Sequence, residues 1–293
     1  MAARPKPPDL HCRVFPRLFA IYRRSATVVQ YTNGVRHMDL KGIVAIVTGS
    51  SSGTGIGAEC AKGLAAKGCN VVINYMTNEA GAEATAAECA GNGVDVMTVQ
   101  GDVSKDADCR RMVREAVDRW GRLDVLVNNA ATTRPIPQHD LEAVTAEEFQ
   151  RIYAVNVIGA FQMTRAATLH LRASGDGAVI NISSIGAFLG DGSSMPYAVS
   201  KGALNTLTIA LARQLAPEVR VNAICPGGLL GNWTRKIMTE EGYQKRVDEA
   251  ETRFPLHKAV WPKDVARLAV WLAGDAQTIT GEAFRMDSGQ HLL

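Results

Sequence analysis

The chain has 293 residues, 46% hydrophobic and 21% charged, an ordinary balance for a globular protein long enough to bury a large core. Seven of its 32 basic residues but only one of its 29 acidic ones precede Met38, so the remainder carries a small acidic excess and no nucleic-acid surface is expected. No apolar run approaches the ~18 residues of a membrane helix, and the six cysteines and six histidines lack Cys-x-x-Cys or metal-ligand spacing, so no membrane span and no metal site are expected, and buried free thiols in a reducing compartment are.

Residues 1–37 are arginine-rich, acid-poor and broken by proline. They read either as a transit peptide, which would make the protein mitochondrial, or as a disordered basic extension on a cytoplasmic protein whose domain opens at Met38. The second reading is preferred, because Met38-Asp39-Leu40-Lys41-Gly42 leads directly into a strand.

Residues 43–47 are β-branched and continuously apolar, which predicts a buried strand. A Gly/Ser-rich turn follows, then a helix with Ala61, Leu64 and Ala65 on its apolar face, ending at Gly68. Strands are predicted over 70–74 and 94–100, each followed by a helix (80–90 and 107–120), and again over 123–127. Thr145-Ala146-Glu147-Glu148 is a capping box for a long helix reaching about Arg172. A strand over 178–182, a helix over 196–215 with Pro196 in its first turn, a strand over 220–224, a helix from Trp261-Pro262 to Leu272 and a strand over 284–287 complete the chain. Strand and helix alternate, which predicts an α/β fold: a Rossmann-type, doubly wound parallel sheet with helices on both faces, forming one domain over 38–293. Such folds bind ligands beyond the carboxyl ends of their strands.

The first strand runs into Thr48-Gly49-Ser50-Ser51-Ser52-Gly53-Thr54-Gly55-Ile56-Gly57. Glycines there let the backbone turn tightly against a pyrophosphate facing the helix N-terminus; Gly49, Ser52, Thr54, Gly55, Ile56 and Gly57 are the candidate contacts. A tight turn without a ligand is the blander alternative. Asn74 ends the second strand, where an acid would hold a ribose 2′-hydroxyl and repel a 2′-phosphate. Its absence admits NADP(H), weakly favoured over NAD(H), although no adjacent cation binds the phosphate.

Tyr197-Ala198-Val199-Ser200-Lys201 sets a lysine one helical turn after a tyrosine. An ammonium beside a phenol lowers a pKa that is otherwise near ~10. Taken alone the pair reads equally as a surface pair. Ser183 and Ser184 end the strand 13 residues earlier, where a hydroxyl would meet a carbonyl oxygen that gains charge. Asn128-Asn129-Ala130 ends another strand, and Asn156 lies in the long helix between Val155 and Val157.

In that order and spacing, these residues, with Asp102-Val103, Pro226-Gly227 and Thr280-Gly281, resemble the short-chain dehydrogenase/reductases of the single-domain branch, from about Leu40 to Leu292. The resemblance implies seven parallel strands and an NAD(P)(H)-dependent oxidoreductase that moves a hydride between nicotinamide and a carbonyl or alcohol carbon. It implies Tyr197 as general acid/base, Lys201 lowering the tyrosine pKa and binding the nicotinamide ribose, Ser184 orienting the substrate oxygen and Asn156 holding a relay water. Asp102 and Val103 would meet the adenine, Asn128 and Ala130 would lie along the cofactor cleft, and Pro226, Gly227 and Leu229 would flank the nicotinamide. It implies a homo-oligomer, tetramer or dimer, in which the long helix contributes Ala160, Phe161, Met163, Ala166 and Ala167.

Three positions depart from the family pattern. The glycine turn carries two extra residues when aligned on Gly55-Ile56-Gly57. Ala131 replaces the glycine after Asn-Asn-Ala. Gly231 stands where a threonine usually follows Pro-Gly, leaving backbone near Leu229 to hold the carboxamide. A cofactor-sensing regulator without turnover is the competing function, and it usually lacks the tyrosine or lysine kept here. A sugar-nucleotide epimerase or dehydratase would need a longer substrate domain than the 92 residues after Lys201. Residues 230–258 are expected to form a substrate lid, whose mixed composition leaves the substrate open.

Overall fold

The computed structural model describes residues 30–32 and 35–293, with side chains from Met38 onward. Within the amino-terminal extension, β1 (Gln30–Thr32) and β2 (Val35–His37) pair as a short antiparallel ribbon, backbone order that the composition does not point to; the rest of that expectation lies outside the described residues. From Met38 on, β3 (Val44–Val47), β4 (Asn70–Tyr75), β5 (Val96–Gln100), β6 (Val125–Asn128), β7 (Gly177–Ile182), β8 (Val219–Pro226) and β9 (Ala283–Met286) form one parallel sheet in the order β5-β4-β3-β6-β7-β8-β9. The chain winds outward from β3 in one direction and then from β6 in the other. The crevice between β3 and β6 is therefore the switch point at which such sheets bind ligands.

Alternation along each strand explains why both faces are apolar. Ala45 and Val47 of β3 point into one core with Leu64, Val71, Ile73 and Leu272. Val44 and Ile46 point into the other with Val72, Leu126, Met163 and Leu171. The first core is covered by α1 (Ile56–Ala65), α2 (Glu79–Ala90) and α10 (Pro262–Gly274), the second by α3 (Asp106–Trp120), α5 (Ala160–Ala173) and α7 (Met195–Leu215). Each parallel strand is thus buried on two sides and reads as a continuous apolar run.

The long helix expected over 145–172 is interrupted. Thr145 caps α4 (Ala146–Tyr153) by accepting from the Glu148 amide, but Ala154–Gly159 forms a π-helical turn before α5 resumes. Asn156 sits inside that turn, 1% exposed. The apolar stripe of α5 also divides differently from expectation. Ala160, Met163 and Ala167 are buried in this chain's own core, whereas Phe161, with Ile158 and Leu169, faces outward. Beyond β8, α8 (Asn232–Ile237) and α9 (Glu240–Thr252) arch over the carboxyl ends of the strands where the lid was expected, and α6 (Gly186–Leu189) forms the opposite bank. Among the described residues, no helix is long and apolar enough to cross a membrane.

Candidate active site

One cleft of about 800 Å³ runs along the carboxyl ends of the strands, from the glycine turn to the lid. The turn at its first end is held from below. Thr48 Oγ1 accepts from the backbone amides of Asn129 and Ala130, and the Asn129 carboxamide donates to the carbonyls of Thr48 and Gly49. Gly49 has φ +61°, and a Cβ there would lie 2.9 Å from the Ala130 Cα. Gly57 is packed as tightly: a Cβ would come within 2.4 Å of the Asn129 amide nitrogen and 2.7 Å of the Gly49 carbonyl oxygen. Helix α1 starts at Ile56 with Gly55 as its N-cap and no side chain capping it, so its first amides stay available to an anion. This is the register of Gly55-Ile56-Gly57. The two extra residues bulge outward, fixed by the Ser52 hydroxyl accepting from the Gly55 amide at 3.0 Å, by Lys62 donating to the Gly53 carbonyl at 2.7 Å and by Asn232 of the lid donating to Thr54 Oγ1 at 2.7 Å. The cradle, the free helix amides and the absence of a capping side chain fit a dinucleotide pyrophosphate.

Asn74 faces inward. It is 2% exposed; its Oδ1 accepts from the Gly49 amide at 3.0 Å, and its Nδ2 lies within donating distance of the carbonyls of Tyr75, Val99 and Gly101. The side chain ties the turn to β4 and β5. It lines the cleft there with Ser51, Met76, Thr77 and Asn78, Asn78 being fixed by donating to the Ser51 carbonyl. Asn128 is likewise not on the cleft. It lies beneath it in a buried network, donating to Asn181 Oδ1 at 2.9 Å and to Thr164 Oγ1 at 3.1 Å. Its neighbour Asn129 takes the cleft position, with Ala130 and Ala131. Sequence position alone does not separate the two, because alternate strand residues face opposite ways and the strand end sets the parity. Asp102 and Val103 line the cleft beyond β5, the carboxylate of Asp102 accepting from the Ser104 amide and hydroxyl.

Ser184, Tyr197 and Lys201 come together midway along the cleft. The Ser184 hydroxyl lies beside the Tyr197 phenol and lowers its pKa, and its oxygen accepts from the Gly186 amide at 3.1 Å. Ser183 instead donates to the Lys201 carbonyl at 3.2 Å, so the second serine is the one facing the cleft. Lys201, 2% exposed, sends its ammonium to the Ile182 carbonyl at 2.7 Å and lies 5.5 Å from the centre of the Tyr197 ring. The lysine expected to lower the phenol pKa is not among the groups that move it. Burial pushes Tyr197 up to about 12, opposed by the Ser184 hydroxyl, and burial pulls Lys201 down to about 8. With the ammonium turned to a backbone carbonyl, desolvation dominates.

Asn156 spends its side chain on positioning. Its Oδ1 accepts from the Thr132 amide at 2.8 Å, and its Nδ2 donates to the Thr132 carbonyl and to Ser200 Oγ, next to Lys201. The carboxamide clamps the loop after β6 to α7, and a relay water would have to be held by an acceptor oxygen of Asn156, its amide hydrogens being taken.

Pro226, Gly227 and Leu229 line the far wall. Gly231 has φ +144°, which a threonine would resist. Thr234, three residues on, lines the cleft and donates its hydroxyl to the Leu229 carbonyl at 2.8 Å. It places a threonine hydroxyl where the sequence spacing pointed to backbone alone; the insertion between Pro-Gly and Thr hid it. Ala131 has negative φ, so its side chain is accommodated without strain. The five described cysteines are free and buried. No cluster of metal-ligating side chains occurs among the described residues.

A family model described as Enoyl-(Acyl carrier protein) reductase matches residues 49–291. A Streptomyces violaceoruber protein described as ketoacyl reductase 2 of the granaticin polyketide synthase is 44% identical over 250 residues, 85% of this chain and 96% of that one. A 3-oxoacyl-(acyl-carrier-protein) reductase of Staphylococcus aureus is 32% identical, covering 85% of this chain and 98% of its own. Among solved structures, a Burkholderia xenovorans protein described as a short-chain dehydrogenase/reductase superposes with TM-score 0.78 at 39% identity, over 86% of this chain and 98% of that one.

Proposed function

The chain belongs to the short-chain dehydrogenase/reductase family and is an oxidoreductase acting on carbonyl or alcohol groups with a nicotinamide cofactor; from that premise we propose how its residues divide the work. The single observation that carries the proposal is the convergence of Ser184, Tyr197 and Lys201 on one cleft whose other end is a phosphate cradle. Bound nicotinamide supplies or accepts the hydride. Tyr197 holds the proton delivered to the substrate oxygen. Ser184, beside the phenol and rigidified by the Gly186 amide, is placed to hold that same oxygen as charge builds on it. Lys201 supplies a buried positive charge beside the tyrosine and would hold the ribose hydroxyls of a bound cofactor. Asn156 positions Lys201 through Ser200. Gly49, Gly55, Ile56 and Gly57 face the pyrophosphate, Asp102 and Val103 the adenine, and Leu229 with Thr234 the carboxamide.

The working direction is reduction, because relatives are described as reductases. Residues 38–293 form one catalytic domain with residues 230–258 as lid. NADP(H) is preferred modestly: no acid lines the cleft beyond β4, where Ser51, Thr77 and Asn78 offer neutral donors. The outward-facing Ile158, Phe161 and Leu169 of the π turn and α5, with Val199 and Ile209 of α7, support a homo-oligomer, tetrameric or dimeric, which a sedimentation run showing only monomer at micromolar concentration would exclude. Five buried free thiols fit the reducing cytoplasm. The decisive assay is NADPH and NADH oxidation against a broad carbonyl panel. Turnover with NADPH exceeding that with NADH is expected, and equal or reversed efficiency would remove the cofactor preference.

A further inference from the structure

The lid carries a charged group that the hydride chemistry does not use. Arg246 lies on α9 and lines the cleft half-buried. Among the described residues it makes no hydrogen bond and no ion pair; it feels the carboxylates of Glu249 and Asp191 only through space. A guanidinium has five N–H donors, and partly buried arginines ordinarily spend them on a carboxylate or on backbone carbonyls. Arg220, at the far side of this molecule, does so, donating to the carbonyls of Leu272, Ala273 and Ala276.

The position of Arg246 along the cleft follows from its neighbours. Asp191 precedes Gly192, where a Cβ would lie 3.4 Å from the Tyr197 ring. The Asp191 carboxylate accepts from the Gly192 amide at 2.7 Å through Oδ1, a bond that holds it toward its own loop. Arg246 therefore faces the segment that wraps Tyr197 on the side away from the glycine turn. Glu249, one turn along α9 and on the same face, borders a small hollow shared with Gln290. Gln290 also lines the main cleft, and its Oε1 is buried with no partner. Its carboxamide can present either end by a flip. The surrounding wall includes the apolar Leu189, Trp233 and Met238, with Thr234 and the exposed Lys236 between them in the chain. At the substrate end, Arg246 thus opens into the cleft without a protein partner and the Gln290 carboxamide oxygen is buried without one, whereas the side chains of Thr48, Asn74 and Asn129 under the glycine turn are paired.

We propose that Arg246, seconded by Gln290, is the specificity-determining residue of the lid and selects carbonyl substrates with an apolar body and an anionic oxygen distal to the reacting carbon. The proposal rests on the reading of the Tyr197 end as the substrate end. A half-buried arginine that closes on an anionic oxygen discriminates against the uncharged analogue by about ten- to a hundredfold.

The test uses matched probes: 4-acetylbenzoate and 3-benzoylpropionate, each against its methyl ester, with the full chain and NADPH. The wild-type protein should favour each acid over its ester at least tenfold in kcat/KM. Arg246→Met should bring that ratio near one, chiefly through KM for the acid, and Arg246→Lys should restore part of it. A purely structural role for Arg246 would lower acid and ester together and leave the ratio unchanged, which would overturn the proposal, as would a wild-type preference for the esters. The underlying reading fails separately. If Tyr197→Phe keeps its turnover while Arg246→Met still collapses the ratio, the assignment of the proton donor is wrong and that of Arg246 stands.

Discussion

At the glycine-turn end of the cleft, Thr48, Asn74 and Asn129 have bound their polar atoms to backbone before any ligand arrives. At the lid end, Arg246 and the Gln290 carbonyl oxygen have not. The first end presents a finished backbone surface, which suits a ligand whose shape is the same at every turnover. The second leaves its donors and acceptor to be completed by the substrate. The Gln290 oxygen, buried without a partner, carries a free-energy cost that a substrate donor relieves, and the Arg246 guanidinium has no protein partner to give up, so selectivity belongs at the lid end. Between the two, Ser184, Tyr197 and Lys201 are rigid in position and perturbed in protonation.

The largest effect expected on this division is at its centre. Tyr197→Phe removes the proton donor without touching either end, so turnover should fall by roughly 10²–10⁴-fold while the cofactor dissociation constant, followed by NADPH fluorescence, stays within a few-fold. Retention of most of the turnover would show that the proton comes from elsewhere.

Next is the finished end. Asn74→Asp replaces an amide donor to the carbonyls of Val99 and Gly101 with a carboxylate facing them. A loss of about 1–3 kcal/mol in stability is expected, read by denaturant unfolding, with no gain in preference for NADH. A shift toward NADH at unchanged stability would mean that the side chain turns to the cleft.

The protonation of the centre gives a third measurement. Lys201 titrates at about 8 in the folded protein against 10.5 when free. Between those values the unfolded chain binds the extra proton, so the folded state gains stability as pH rises through that window. The thermal midpoint of the wild-type protein should therefore climb relative to Lys201→Met from pH 8 toward 10.5. A difference that is flat or falls would mean that the lysine keeps an ordinary pKa.

The smallest effect lies where the two ends touch. Thr54→Ala removes the acceptor for Asn232, a solvent-exposed contact of about 0.5–1.5 kcal/mol at most. The KM for NADPH should rise no more than several-fold, with kcat little changed. A loss of tenfold or more would make the contact between turn and lid part of catalysis.

The order of strands and helices was legible because each parallel strand, covered on both faces, is a short apolar run bounded by turn residues, and because caps such as Thr145 mark helix starts chemically. Ser184, Tyr197 and Lys201 were legible by spacing within local elements. What was not legible depends on direction or on long-range contact. Asn128 reads as a cleft residue, yet its side chain points into a buried network, and Asn74, at the cleft wall, has its carboxamide turned to the backbone. Thr234 was masked by an insertion, and Arg246 acquires meaning only when α9 folds over a cleft built from residues far away in the chain. The π turn was invisible because Ala154–Gly159 has the composition of an ordinary helix.

That turn leaves a mark on what the chain can tolerate. A π turn holds one residue more than the α-helical turn it replaces, and each residue of a helix advances the side chains by about 100°. Deleting a single residue between 154 and 159 would let the helix run on regularly, with every hydrogen bond remade. It would also swing Met163, Ala167 and Leu171 roughly a quarter-turn off the sheet and carry Asn156 or its neighbour away from Thr132 and Ser200. The locally better helix would be the globally worse protein, so the irregular turn works as a phase marker, keeping the buried stripe of α5 in step with a catalytic clamp two turns upstream.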